Sequence, residues 1–111
     1  MSKRAEQLAE VIQHEMNNFF IREMEFSQDI LVTLTQVKLT PDLKHAYLYL
    51  SVLPVTNIGQ TLEKVNRNLG RAKHFLSGRL KLRKCPELEV IIDDTLLKDR
   101  KVEKVLENLN K

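Results

Sequence analysis

Residues 30–39 and 45–53 are two short runs rich in β-branched and aliphatic side chains, separated by Thr40-Pro41-Asp42. Proline sets φ and aspartate bonds nearby backbone, so the tripeptide reads as a turn. Two such runs about a short turn predict an antiparallel hairpin and constrain everything around them. In the first strand Leu31, Thr33, Thr35, Val37 and Leu39 are expected on one side. In the second, Ala46, Leu48, Leu50 and Val52 alternate against His45, Tyr47, Tyr49 and Ser51, and Pro54 ends the strand.

The segments on either side of the hairpin have a different period. From about Lys3 to Met24, Ala5, Leu8, Ile12, Met16, Phe19 and Phe20 form one apolar stripe, with Ser2 as a plausible N-cap, the pattern of an amphipathic helix. A second helix opens near Thr56-Asn57, with Leu62, Val65, Leu69, Ala72, Leu76 and Leu80 as its buried stripe. Gly70 and Gly78 each cost a helix interior about 1 kcal/mol relative to alanine, so a bend, a break or close packing is expected there. Pro86 cannot continue this helix and biases Cys85 to extended geometry. Leu88–Asp93 reads as a third strand. A short closing helix follows, with Asp99 as N-cap and Val102, Val105, Leu106 and Leu109 on its apolar side. The order α-β-β-α-β-α predicts a small α+β domain, residues 1–111, whose helices cover one face of a three-stranded sheet.

Several function classes find no support in the residues. No apolar stretch is long enough to span a membrane, and the N-terminus lacks the apolar core of a signal peptide. The single cysteine, Cys85, forbids an intrachain disulfide or a multi-cysteine zinc site, so the chain is expected in the cytoplasm. Arg83 and Lys84 would favour a Cys85 thiolate, yet no histidine or oxyanion-type motif completes a nucleophile. There is no phosphate-cradling glycine loop, and Asp93-Asp94 reads as a strand terminator. His14 and His45 have no partner at metal-ligand spacing. Neither enzyme activity nor a cofactor is expected.

Charge is the feature with functional content. Between Lys64 and Pro86 lie Lys64, Arg67, Arg71, Lys73, Arg79, Lys81, Arg83 and Lys84, together with His74 and no acidic residue. The formal charge of +3 is therefore +8 on this segment and −5 elsewhere. A solvated helix face usually interleaves both signs; a concentration of one sign focuses the field and marks a polyanion-binding surface. These eight cations and His74 are the candidate RNA-contact residues. Tyr47 and Tyr49 share a strand side, where cross-strand packing outweighs base stacking as the expectation, and Phe75 is expected in the core.

The chain resembles the ribosome-binding factor A family, bacterial maturation factors of the small ribosomal subunit. The resemblance rests on Thr33-Leu-Thr-Gln-Val37, Leu39-Thr-Pro-Asp-Leu43 and Ala46-Tyr-Leu-Tyr-Leu-Ser51, then Leu76-Ser-Gly-Arg-Leu80, Leu82-Arg-Lys-Cys-Pro-Glu-Leu88 and Asp93. Their order and spacing run from Arg4 to about Leu109. The resemblance implies a type-II KH-like domain in which a kink, usually Ala-x-Gly, replaces the Gly-x-x-Gly loop of ordinary KH modules. Aligned on Ala72-Lys73-His74, the kink would carry His74 where the family has glycine. It also implies a non-catalytic factor that binds the immature small subunit through its rRNA and assists late maturation and 5′-end processing; a monomer is expected because no large exposed apolar stripe asks for a partner. A general single-stranded RNA-binding module, or an interaction domain for an acidic protein partner, are the other readings.

Overall fold

The computed structural model describes residues 3–80 and 84–93. Ser2, Lys81, Arg83 and the expected closing helix at Asp99–Leu109 lie outside the described residues. Within them the chain forms α1 (Lys3–Glu23), β1 (Leu31–Leu39), β2 (His45–Leu53), a 3-10 turn (Val55–Asn57), α2 (Ile58–Arg67), α3 (Leu69–Arg79) and β3 (Glu87–Ile92). The sheet order is β1-β2-β3; β1 and β2 are antiparallel, and β3 lies parallel to β2 after the crossover through α2 and α3.

One face of the sheet carries the core. Ala46, Leu48 and Leu50 of β2 meet Ile12, Met16, Phe19 and Phe20 of α1 and Val65, Ala72 and Leu76 of α2 and α3, all buried. The β2 alternation is as expected, whereas that of β1 is broken. Leu34 pairs with Leu50 but Gln36 pairs with Tyr49, which leaves Thr35 as an extra residue in a bulge. A one-residue insertion moves every later side chain to the other face. The inward set is therefore Val32 and Leu34 before the bulge and Val37 and Leu39 after it, while Leu31, Thr33 and Thr35 are exposed. Gln13 of α1 reaches the bulge and donates from Nε2 to the carbonyls of Leu34 (3.4 Å) and Thr35 (3.3 Å). On the opposite face Tyr49 is half-buried with Lys38 Nζ 5.3 Å from its ring centre, the cross-strand contact expected of it.

The hairpin turn is held by its own side chains. Thr40 Oγ1 donates to Asp42 Oδ1 (2.6 Å), the Lys44 amide donates to the same oxygen (3.0 Å), and the His45 amide donates to Thr40 Oγ1 (3.1 Å). Leu43 takes a φ of 62° to close the loop, a conformation that side-chain-bearing residues adopt rarely. The Thr40 hydroxyl, then the Lys44 amide, hold the Asp42 carboxyl below its ordinary value. Glu87, where β3 starts, is likewise lowered, first by its hydrogen bond to Lys73. Both groups have folded values below their unfolded ones, so their contribution is present above about pH 4 and is lost as pH falls through the folded values. Exchange of the Lys44 and His45 amides is expected to accelerate, relative to core amides, between about pH 4 and 2 in wild type but not in Asp42→Asn; equal behaviour of the two proteins would refute this.

The two glycines do not break the long helix; Asn68 does. At φ −103° and ψ 6°, Asn68 is non-helical between α2 and α3. Its side-chain Nδ2 donates to the Lys64 carbonyl (2.8 Å), the acceptor that its backbone amide would use in a continuous helix, while that amide bonds Val65 O (3.0 Å). Its carbonyl then accepts from the Ala72 amide (2.9 Å) to start α3, and its Oδ1 accepts from Arg71 Nη1 (2.9 Å). Short amide side chains compete with helical backbone in this way.

This corrects the kink expected at Ala72-Lys73-His74. All three residues lie inside α3, with Ala72 buried against the core. His74 has no positive φ, because Leu43 is the only such non-glycine residue among those described. The Ala-x-Gly spacing falls instead on Asn68-Leu69-Gly70, with glycine in its usual third place and asparagine in the first.

Candidate nucleic-acid interface

The basic segment wraps the helix pair and does not lie on a single face. Arg67 is exposed in the last turn of α2. Lys64 is half-buried, its Nζ 5.1 Å from the centre of the Phe26 ring. On α3, Arg71 and Arg79 turn toward α1, Lys73 turns toward the start of β3, and His74 is exposed between the two flanks. Lys84 is exposed ahead of β3; Lys81 and Arg83 cannot be placed, being outside the described residues. Phe75, expected in the core, is half-buried there, edge-on to Phe19 at 5.4 Å, and Arg79 sits 4.4 Å from its ring centre.

Tertiary structure supplies the counter-charges that the segment lacks. Arg71 Nη2 is 3.5 Å from Glu23 Oε2, Lys73 Nζ is 2.5 Å from Glu87 Oε1, and Arg79 Nε is 3.3 Å from Glu15 Oε2. The last contact is electrostatic only: it is misaligned for a hydrogen bond, and Glu15 Oε2 is buried without another donor among the described residues. The Arg71–Glu23 side chains are 57% and 44% exposed, so the pair is worth at most about 1 kcal/mol and opens readily. Arg67, His74 and Lys84 make no ion pair among the described residues. No local signal in the sequence announced Glu15, Glu23 or Glu87, since each arrives from another element by packing.

Two concave features adjoin these cations, and both contain Glu23 and Arg71. One is a groove of about 420 Å³ between α1 and α3, lined by Phe19, Glu23, Gly70, Arg71, His74 and Phe75. The other, at the end of α1, brings Arg22 together with Lys64, Asn68 and Arg71; Arg22 is a cation that the segment's boundaries had left out. Gly70 and Gly78 lie along the same helix, and a Cβ on either would meet nothing within 4 Å. Neither has a positive φ, so neither backbone conformation nor internal packing requires glycine at these exposed positions.

The Cys85 thiol is buried, and burial pushes it up despite the opposing charge of Lys73 and a hydrogen bond from Ser77; this reverses the depression that its basic neighbours in sequence would favour. The described residues hold no cluster of three or more metal-ligating side chains. No described helix is long and apolar enough to cross a membrane.

A three-stranded α+β sheet covered by an N-terminal helix and a broken helix pair, with no Gly-x-x-Gly loop, defines a KH-like domain. The chain belongs to the ribosome-binding factor A family, whose profile matches residues 4–106. Ribosome-binding factor A of Mycoplasmopsis pulmonis is 38% identical over 89 residues, 80% of this chain and 78% of that protein. A Thermotoga maritima protein assigned to ribosome-binding factor A, solved by NMR, superposes with a TM-score of 0.70 at 26% identity, covering 82% of this chain and 88% of that one. The coordinates of Thermus thermophilus ribosome-binding factor A fitted into a map of a 30S complex superpose with a TM-score of 0.61 at 19% identity, over 85% of this chain and 96% of that one.

Proposed function

We propose that this chain is a monomeric, non-catalytic assembly factor that docks on the immature small ribosomal subunit in the cytoplasm. The contact runs through rRNA, with Lys64, Arg67, Arg71, Lys73, His74, Arg79, Lys81, Arg83 and Lys84 as the contributing side chains. Binding assists late maturation of the rRNA, including processing near its 5′ end. The work is differential binding: the factor shifts the RNA toward one arrangement only by as much as it prefers that arrangement. Departure follows when the mature arrangement no longer offers the preferred contact.

The observation that carries this reading is the exposed surface of α2 and α3, where Arg67 and His74, which make no ion pair among the described residues, share the helix pair with Gly78, at which a Cβ would meet nothing within 4 Å. Glycine there lets a sugar-phosphate backbone approach the helix closely, while the flanking cations neutralise it. The 30S complex of the Thermus relative supports the choice of particle.

The test is co-sedimentation with free small subunits, complete ribosomes and unrelated RNA across a salt series. Five phosphate contacts to single-stranded RNA would give a log–log salt slope of about −3.5. Preferential, salt-sensitive binding to free small subunits is the expected result. Equal binding to all RNA would reduce the protein to a general RNA module, and salt-sensitive binding that survives ribonuclease would favour an acidic protein partner.

A further inference from the structure

We propose that the groove between α1 and α3 is a slot for one unpaired nucleobase of the bound RNA, with preference for a base that carries an exocyclic amino group. The inference rests on the RNA-binding reading above and assigns the groove a ligand of its own.

The groove is about 420 Å³, inside the range of about 300–1,000 Å³ typical of small-ligand sites. Its inner wall is aromatic: the half-buried Phe75 offers ring surface and stands edge-on to Phe19, which is buried and backs it. The lining guanidinium, Arg71, lies 5.9 Å from the Phe19 centre, while Arg79, outside the lining, backs Phe75 at 4.4 Å from its centre. Flat rings and guanidinium planes are the surfaces on which unstacked bases rest. An aliphatic side chain would use the apolar wall and leave the cations idle; a bare phosphate would use the cations and leave the rings idle. A base joined to its phosphate uses both.

Gly70 is what leaves room for it. A Cβ there would meet no protein atom within 4 Å, and its φ is not positive, so the protein gains nothing internally from a poor helix former at this place. The vacant space is on the groove side, since Gly70 is one of the lining residues.

Glu23 supplies the selectivity. Its Oε2 is held by Arg71 Nη2, and Arg71 is held in turn by Asn68 Oδ1 and by the Glu23 carbonyl. Glu23 is a lining residue of the groove, and its Oε1 has no partner among the described residues. A carboxylate accepts from the amino group of cytosine, adenine or guanine; uracil, whose Watson–Crick edge is flanked by carbonyls, presents it with repulsion. His74 is an exposed lining residue of the groove and Arg67 lies outside it on the exposed side of the helix pair, where the phosphates flanking the base would run.

The slot is tested with Gly70→Leu, which fills it without altering any charge and improves helix propensity. Affinity for small subunits is expected to fall at least about fivefold, with the salt slope unchanged and the melting temperature equal or higher. Gly70→Gln provides a second, more polar filling. In parallel, wild type is expected to bind rA8 and rC8 at least about fivefold more tightly than rU8, and Gly70→Leu to lose that difference. If wild type binds small subunits with the expected salt dependence and Gly70→Leu binds equally well, or if rU8 matches rA8 and rC8, the slot is wrong and the RNA-binding reading stands. If wild type shows no salt-sensitive binding to subunits or oligonucleotides, the RNA-binding reading fails and takes the slot with it.

Discussion

Changing Arg67, Arg71 and Lys73 together to alanine is expected to lower affinity for the free small subunit by about a hundredfold at 0.1 M salt. The figure follows from counterion release: each phosphate contact to single-stranded RNA contributes about 0.7 to the log–log slope, hence about fivefold at 0.1 M. Losing three of five contacts should also flatten the slope from about −3.5 to about −1.4. The slope is the stronger readout, because misfolding would lower affinity without producing an intermediate salt dependence. Two of the three residues have internal partners, Glu23 and Glu87, so a control is needed. Glu87→Gln frees Lys73 and should bind at least as tightly as wild type. A triple variant that keeps the full slope would show that the phosphates are met by other cations.

Phe19→Ala is expected to cost about 3–5 kcal/mol, the usual range for deleting a buried aromatic side chain. Phe19 is 1% exposed and sits where α1 meets α3: it contacts Phe75 edge-on and Phe20 at a tilt, and Arg71 lies over its ring. Nothing nearby is placed to collapse into the space, because its neighbours are themselves rings fixed by packing on the sheet. Against a total stability of about 5–15 kcal/mol for a domain of this size, such a loss leaves the protein marginal at 37 °C. Urea denaturation would measure it. Phe19→Leu, which retains most of the volume, should cost less than half as much, and equal losses in the two variants would argue against a packing origin.

Much of the fold was legible because it is periodic. The α1 stripe, the β2 alternation and the Thr40-Pro41-Asp42 turn need only local rules, and each is found where it was expected. The β1 face was misread for a reason that no period reveals. The Thr35 bulge is an agreement between two strands and a glutamine of α1, and it rephases Val37 and Leu39. The break falls at Asn68 and not at Ala72-Lys73-His74, because an asparagine side chain, unlike a glycine, carries no breaking signal in the sequence until it has a carbonyl to bind. Asparagine's capacity to take over the Lys64 carbonyl becomes decisive only once the helix is built. For the candidate site, the cations were evident in the sequence and their arrangement was not. A run free of acids in the chain proved to be a surface threaded with acids in space, since Glu15 and Glu23 come from α1, remote in sequence, and Glu87, just past the run's end, is brought back to Lys73 by β3.

The parallel placement of β3 beside β2 bears on the order in which the molecule can assemble. The hairpin closes over a few residues, whereas β3 must wait until the whole of α2 and α3 has been condensed between Leu53 and Glu87. Closing the larger loop carries a greater entropic cost, and only burial of the helix pair offsets it. A nascent chain on the ribosome should therefore carry a formed hairpin with an open sheet edge until its last strand emerges. Pulse-labelled exchange during refolding should protect Val32–Val52 amides before those of Val90–Ile92, and simultaneous protection would rule this order out. The strand that completes the described sheet is synthesised after the hairpin and the helix pair, so translation itself sets the earliest moment at which this protein can bury its core.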